Sequence, residues 1–296
     1  MCIALVLALV AVVAALPLPA ASELEQNLRD RYNGKTLVLR NFYAGDSLQY
    51  DASGRFSRSA DSGDWTVDGF VRVDNVKVSG QRLTIQAKRL HMVRTRDGGF
   101  APVPSPAKKL RIEADVNPGE GTPDRAEALL ARIFLTSQDH FAELLPDYWK
   151  PCVIAGLTGK DSQKYTGCHF PAEVLAIPGV AYRPDQRPPE LADAAGPIAS
   201  GKVFHGKGVT MPKGLYLPQP GFSEDARQAK CQGAVTLMLV VDKTGGVRSI
   251  RIVSPMGCGL DGKAVGAVEK WQFNPGTKDG EPVDVEIGVE VNFHLY

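Results

Sequence analysis

Side chains able to do chemistry are thinly spread in this chain. Its five histidines, His91, His140, His169, His205 and His294, form no His-Glu-x-x-His pair, and the sequence holds neither a Gly-x-Ser-x-Gly elbow nor a phosphate-binding glycine loop. Cys168 and His169 set a thiol beside an imidazole, but chain neighbours seldom point at one another, and a bond from Cys168 to Cys152 would consume the nucleophile. The same two cysteines with one nearby histidine fall short of a zinc ligand set. Asp46, Asp51, Asp61, Asp64, Asp68 and Asp74 hint at calcium, yet they lack the tight alternation of a calcium loop and read better as turn formers. The expectation is therefore no catalytic residue, no metal site and no cofactor.

What the cysteines can do is cross-link. Cys2 lies in an apolar leader, and the other four fall into two local couples, Cys152 with Cys168 and Cys231 with Cys258, an even set that suits an oxidising compartment. Basic and acidic residues number 34 and 33, which leaves almost no net charge and no basic stripe to hold nucleic acid. A length of 296 residues leaves room for two modest cores.

The elements that must position Cys231 and Cys258 are legible from periodicity. Val283, Val285, Ile287, Val289, Val291, Phe293 and Leu295 alternate with polar residues, the signature of an antiparallel-type strand with one wet face, on which His294 falls. Ala234 to Val241 and Val247 to Ser254 are rich in aliphatics and flank the turn Asp242-Lys243-Thr244-Gly245-Gly246, so they form a hairpin. Setting Leu239 opposite Ile250 and Leu237 opposite Ile252 places the aliphatics of both strands on one face. The same register puts Val235 opposite Ser254, Gly233 opposite Met256 and Cys231 opposite Cys258, close enough for a disulfide worth roughly 3 to 4 kcal/mol. Leu260, Ala264, Ala267, Val268 and Trp271 recur at helical spacing, ended by Phe273-Asn274-Pro275-Gly276. Ser223 caps a short helix through Ala226 and Ala229. The order is helix, strand, strand, helix, strand.

This block resembles the C-terminal domain of the TonB family of periplasmic energy transducers. The resemblance rests on Pro220, Phe222, Ala226, Gly233 and Val235, on Asp242 and Gly246 in the turn, and on Leu260-Asp261, Ala264 and Ala267. It continues through Trp271-Gln272-Phe273, Pro275, Gly280, Pro282-Val283 and Phe293, with Ser223 where family members usually carry a second proline. It implies that an outer-membrane receptor or another periplasmic protein adds an extended segment to the exposed edge of the last strand. That surface is Val285, Glu286, Ile287, Val289, Glu290, Val291, Asn292 and Phe293, with Glu286, Glu290 and Asn292 setting side-chain preference. The competing reading is that the chain's own tether covers this edge.

Taken in order, residues 1–22 read as a secretory signal: Ile3 to Leu16 is an apolar run too short for a comfortable membrane span, followed by small residues near Ser22. No Lys or Arg precedes the run, and an uncleaved segment would serve as a membrane anchor instead. Residues 23–117 read as an antiparallel β-rich domain, an open sheet or a small barrel, in which Leu37 and Leu39, Val71 and Val73, Val76 and Val78, Leu83 and Ile85, and Leu110 and Ile112 alternate with polar neighbours. Trp65, Phe70, Phe42 and Tyr43 there are either core or the lining of a ligand groove. Residues 118–170 form a helical segment, one helix or a broken pair ending before Pro146, then a loop from Trp149 to Phe170 that a Cys152–Cys168 bond would staple. Residues 171–211 are a Pro- and Gly-rich linker, and 212–296 the last domain.

The fold class is thus α+β, and the destination is the periplasm or the secreted space of a Gram-negative-type envelope. Two function classes follow, with an enzyme hidden in the β-rich domain as a third and less favoured one. In one, the protein binds a partner by strand addition and is linked to TonB-dependent outer-membrane transport. In the other, it is a soluble ligand-binding module whose last domain serves docking or homodimer formation.

Overall fold

The computed structural model describes residues 19–57, 61–96, 98–116, 123–160, 163–181, 203–204 and 208–295. The leader expected over 1–22 falls almost wholly outside them, as does most of the Pro-rich stretch. The fold is α+β.

The N-terminal unit opens on helix α1 (Pro19–Tyr32), followed by strands β1 (Thr36–Val38), β2 (Ser47–Tyr50), β3 (Phe70–Ser79), β4 (Arg82–Arg94) and β5 (Phe100–Asp115). The strands form an open sheet in the order β1-β3-β4-β5-β2, with a three-residue strand at one edge and a four-residue strand at the other. All pairings are antiparallel except β2 with β5, which is parallel. The alternation expected of its strands turns Val71, Val73, Leu83, Ile85, Leu110 and Ile112 into a core covered by Leu24 and Leu28 of α1 and by Leu129, Leu130 and Ile133 of α2 (Pro123–Ile133). Helix α1 departs from the all-β expectation because its weak apolar stripe is carried mainly by these two leucines.

The opposite face of β3 and β4 presents Phe70, Leu90 and Met92 to a second core with Trp65, Phe100, Phe141 and Trp149. Trp65, Phe70 and Phe42 are buried core, so they line no open groove. The helical stretch is broken: α2 is followed by a separate 3-10 turn at Phe141–Leu144. The loop expected after Trp149 begins instead with a helix, α3 (Lys150–Thr158), which has Pro151 in its first turn and a left-handed Gly159 at its end. It shows no apolar periodicity because Pro151 to Ala155 are buried all round. Pro171 to Val180 also packs, through helix α4 (Ala172–Leu175) and buried Val174, Ile177 and Val180.

The C-terminal unit contains β6 (Lys213–Tyr216), α5 (Glu224–Gln228), β7 (Gly233–Val241), β8 (Val247–Ser254), α6 (Leu260–Val268), β9 (Gln272–Asn274), β10 (Gly276–Lys278), β11 (Glu281–Val283) and β12 (Val285–Phe293). The helix-strand-strand-helix-strand order is present, with short pairs β6–β9 and β10–β11 added, most of them too brief for a periodicity to be read. Ser223 caps α5 by accepting the Ala226 N–H at 3.0 Å.

The hairpin register needs correcting. Leu237 does lie opposite Ile252, but Ser254 pairs with Thr236 rather than Val235, and a bulge at Ser249–Ile250 shifts Val240 onto Arg248. The ladder stops at Ser254, so Cys231 and Cys258 are not opposed strand residues. Cys231 follows α5 and Cys258 sits in the turn before α6, with Cα atoms 6.5 Å apart, within disulfide reach. The bond joins connectors that flank the strands. Cys152 and Cys168 are likewise paired, with Cα atoms 5.4 Å apart.

Candidate partner-binding edge

The C-terminal sheet runs β12-β7-β8, so β12 and β8 are its two edges. On β12, Val285, Val291 and Phe293 are buried, Ile287 and Val289 are half-buried against the same core, and Gly288, Glu290 and Asn292 are exposed. β12 pairs with β7 along its whole length, from Val285 opposite Val241 to Phe293 opposite Gly233. The Glu286 N–H points away from β7, donating to Phe204 O at 3.2 Å, while Phe204 N–H donates to Asp284 O at 3.0 Å. Alternation along an antiparallel strand then turns the N–H and C=O groups of Gly288, Glu290 and Asn292 outward as well. Among the described residues nothing bonds to them. Among the described residues the chain's own segment meets the first turnout of the edge, where Lys278 Nζ lies 4.6 Å from the Phe204 ring centroid.

The β8 edge is finished differently. Ile252 N–H donates to Tyr148 O at 3.0 Å, and α3 packs alongside. The loop after β8 continues the seal: Cys258 N–H donates to Met92 O at 3.0 Å, Arg94 N–H to Met256 O at 3.1 Å, and Gly259 N–H to Thr66 Oγ1 at 2.8 Å. Gly257 has φ +86°, and a Cβ there would stand 2.0 Å from Met92 O, so only glycine allows the approach. Val235, Leu237, Ile252 and Val268 belong to the same continuous core as Trp65, Trp149 and Phe170.

Residues 218–295 match the family model described as Gram-negative bacterial TonB protein C-terminal. The chain's last quarter is a TonB-type C-terminal domain. Two curated relatives, each named Protein TonB, from Xanthomonas campestris pv. campestris strains B100 and ATCC 33913, are 35% identical over 77 residues. That stretch is 26% of this chain and 34% of each relative, so the chain spans about a third of their length. The solution structure of the Pseudomonas aeruginosa TonB C-terminal domain aligns with 33% of this chain and 99% of its own at 17% identity, with a TM-score of 0.24.

Within the TonB-type domain, Glu286 is taken up by an ion pair with Arg251, both side chains largely buried. It is thus held inside the sheet face, and Glu290 and Asn292 are the exposed polar residues. Arg248 bridges Asp242 and Asp284, each at 3.1 Å. Burial pushes the Asp242 carboxyl up, but bonds from Thr244 and the Gly246 N–H, with the Arg248 charge, hold it below the usual range. That clamp fixes the β7–β8 turn against the start of β12.

The described residues place no three His, Cys, Asp or Glu side chains together as metal ligands, and no described helix is long and apolar enough to cross a membrane. Periodicity missed Phe204, Tyr148 and Thr66. Each acts through backbone or hydroxyl contacts, and nothing in local spacing marks such contacts. In the N-terminal unit, a groove of about 880 Å³ between α1, α2 and α4 has a floor of Leu37, Phe134 and Ile177 and a rim that includes Lys35, Thr136 and Glu173.

Proposed function

We propose that this protein works in the Gram-negative periplasm by taking an extended segment of a partner protein as an added strand along β12. The partner class is the receptor of TonB-dependent outer-membrane transport or another envelope protein that presents an extended stretch. The observation that carries this reading is the row of outward backbone groups at Gly288, Glu290 and Asn292, on the edge of the β12-β7-β8 sheet opposite the one that meets the N-terminal unit. The family of the domain supports it, since both curated relatives are named Protein TonB.

Glu290→Pro tests it. Proline there removes an outward N–H and leaves the β7 ladder intact, whereas the same change at Val289 would break a bond inside the domain. Retention of receptor-derived extended peptides on the immobilised full chain should fall at least tenfold in the variant; equal retention would refute the reading. Self-association that the same proline abolishes would instead assign the edge to a second copy of the chain.

The α1–α2–α4 groove favours a second reading, a small-molecule module in which the TonB-type domain serves docking. Its volume lies in the range of small-ligand sites, with an apolar floor and a polar rim. Native mass spectrometry of the purified full chain would reveal a retained ligand, and Leu37→Trp should displace it.

A further inference from the structure

Large apolar side chains stand in water at few places on this protein, and they are gathered. Of the six exposed ones among the described residues, four lie between Met211 and Leu217: Met211 at 52%, Leu215 at 63%, Tyr216 at 59% and Leu217 at 42% exposure. They belong to β6 and its flanks, and all four residues of that strand are exposed. An antiparallel strand ordinarily turns one face to a core, and β6 turns neither.

The segment is nonetheless held in place. β6 pairs with β9 through Lys213 opposite Asn274, Gly214 opposite Phe273 and Tyr216 opposite Gln272, with Leu215 as the extra residue of a bulge. Thr210 N–H donates to Thr277 O at 2.8 Å before the strand, and Trp271 Nε1–H donates to Pro218 O at 3.0 Å after it. Backbone bonds and one indole thus fix Leu215, Tyr216 and Leu217 in a row without burying them.

Charge narrows what could cover them. From Lys202 to Ser223 the sequence contains no Asp or Glu. Lys213 is exposed within the strand, and the β9 residues opposite, Gln272, Phe273 and Asn274, include no acid. Aliphatic side chains with a tyrosine and a lysine suit a lipid headgroup layer: the apolar groups enter the acyl boundary, the tyrosine sits at the interface and the ammonium meets phosphate. A protein partner fits less well. The four side chains expose on the order of 400 Å², about half of what each side of a stable complex contributes. Pro212 and Pro218 bracket the strand and lack the N–H groups that a longer ladder to a second copy would need.

We propose that Met211 to Leu217 form a docking surface for a lipid bilayer with anionic headgroups. Leu215, Tyr216 and Leu217 insert, and Lys213 supplies the electrostatic contact. None of these residues belongs to β12, so the inference stands independently of strand addition there.

The test uses the full chain with a reporter inside the strand, which separates its insertion from any adsorption through Ile3 to Leu16. Tyr216→Trp supplies the reporter. With vesicles of phosphatidylglycerol and phosphatidylcholine whose acyl chains carry bromine, the emission that this change adds to the wild-type signal should be quenched. Adding Leu215→Ser and Leu217→Ser should raise the lipid concentration for half-quenching at least about tenfold. Lys213→Gln should raise it about fivefold on these vesicles and leave it unchanged on phosphatidylcholine alone. All four positions are exposed and outside both cores, so the changes remove no core contact. Absence of quenching would overturn the proposal, and so would quenching that the two serines leave unchanged. Self-association that those serines abolish, without quenching by lipid, would assign the patch to a second copy and overturn it equally.

Discussion

The two edges of the TonB-type sheet present the same backbone chemistry and meet different fates. β8 is sealed by residues distant in sequence, through Tyr148 O, the 256–259 loop and a core that runs into Trp65 and Trp149. β12 is held at Phe204, and among the described residues nothing bonds to its outward groups at Gly288, Glu290 and Asn292. An exposed edge invites pairing with any passing strand, so covering one edge turns a two-sided module into one with a single direction of approach. On the proposed strand-addition function, the N-terminal unit is then part of what sets where a partner lands.

The seal can be broken most sharply at Trp149. It is 1% exposed, with its ring centroid 4.8 Å from that of Trp65, and it follows the residue whose carbonyl caps β8. Trp149→Ala should cost about 3 to 5 kcal/mol and lower the urea midpoint of both units in a single transition. Two separate transitions, with the C-terminal one unmoved, would show that the units do not share a core. Replacing Cys231 and Cys258 together by serine opens a loop with a sequence separation of 27 residues and should cost roughly 3 to 4 kcal/mol by the same measurement.

Acid sharpens the comparison from within the N-terminal unit. Burial pushes Asp139 up, but the bidentate Arg40 bond and two bonds from Thr136 outweigh it and hold the carboxyl at about 2. Its folded value lies below the ordinary 3.8, so its contribution is present above that pH and is lost as the pH falls towards 2, about 2 kcal/mol in all. If the units are one cooperative body, Asp139→Asn should lower the thermal midpoint of the TonB-type domain too at pH 7, by an amount that vanishes near pH 2. The smallest effect on stability belongs to Glu290→Pro, within about 1 kcal/mol on an outward edge position, although its effect on partner binding is the largest.

Much of this contrast was legible in the sequence on one side only. The alternation from Val285 to Phe293 marked β12 because a half-buried strand writes its two faces directly into residue order. Strand register sets Cys231 opposite Cys258, whereas the structure brings them to disulfide distance by another route: bulges absorb one residue each, which an ideal ladder does not anticipate, and the two cysteines meet between connectors. Helix α3 was hidden because it is buried on every side, and a helix without a wet face carries no period. The seal on β8 left no local trace at all. Gly257, Thr66 and Tyr148 matter through contacts between segments more than a hundred residues apart, and only the fold brings them together.

The most direct measurement is residue-resolved amide exchange of the full chain at a single mildly acidic pH, comparing the outward N–H groups of the two edges. Ile252 on β8 should exchange slower than Glu290 and Asn292 on β12 by on the order of a hundredfold. Comparable rates at the two edges would contradict the account, because both would then be open and the N-terminal unit would impose no direction on the domain.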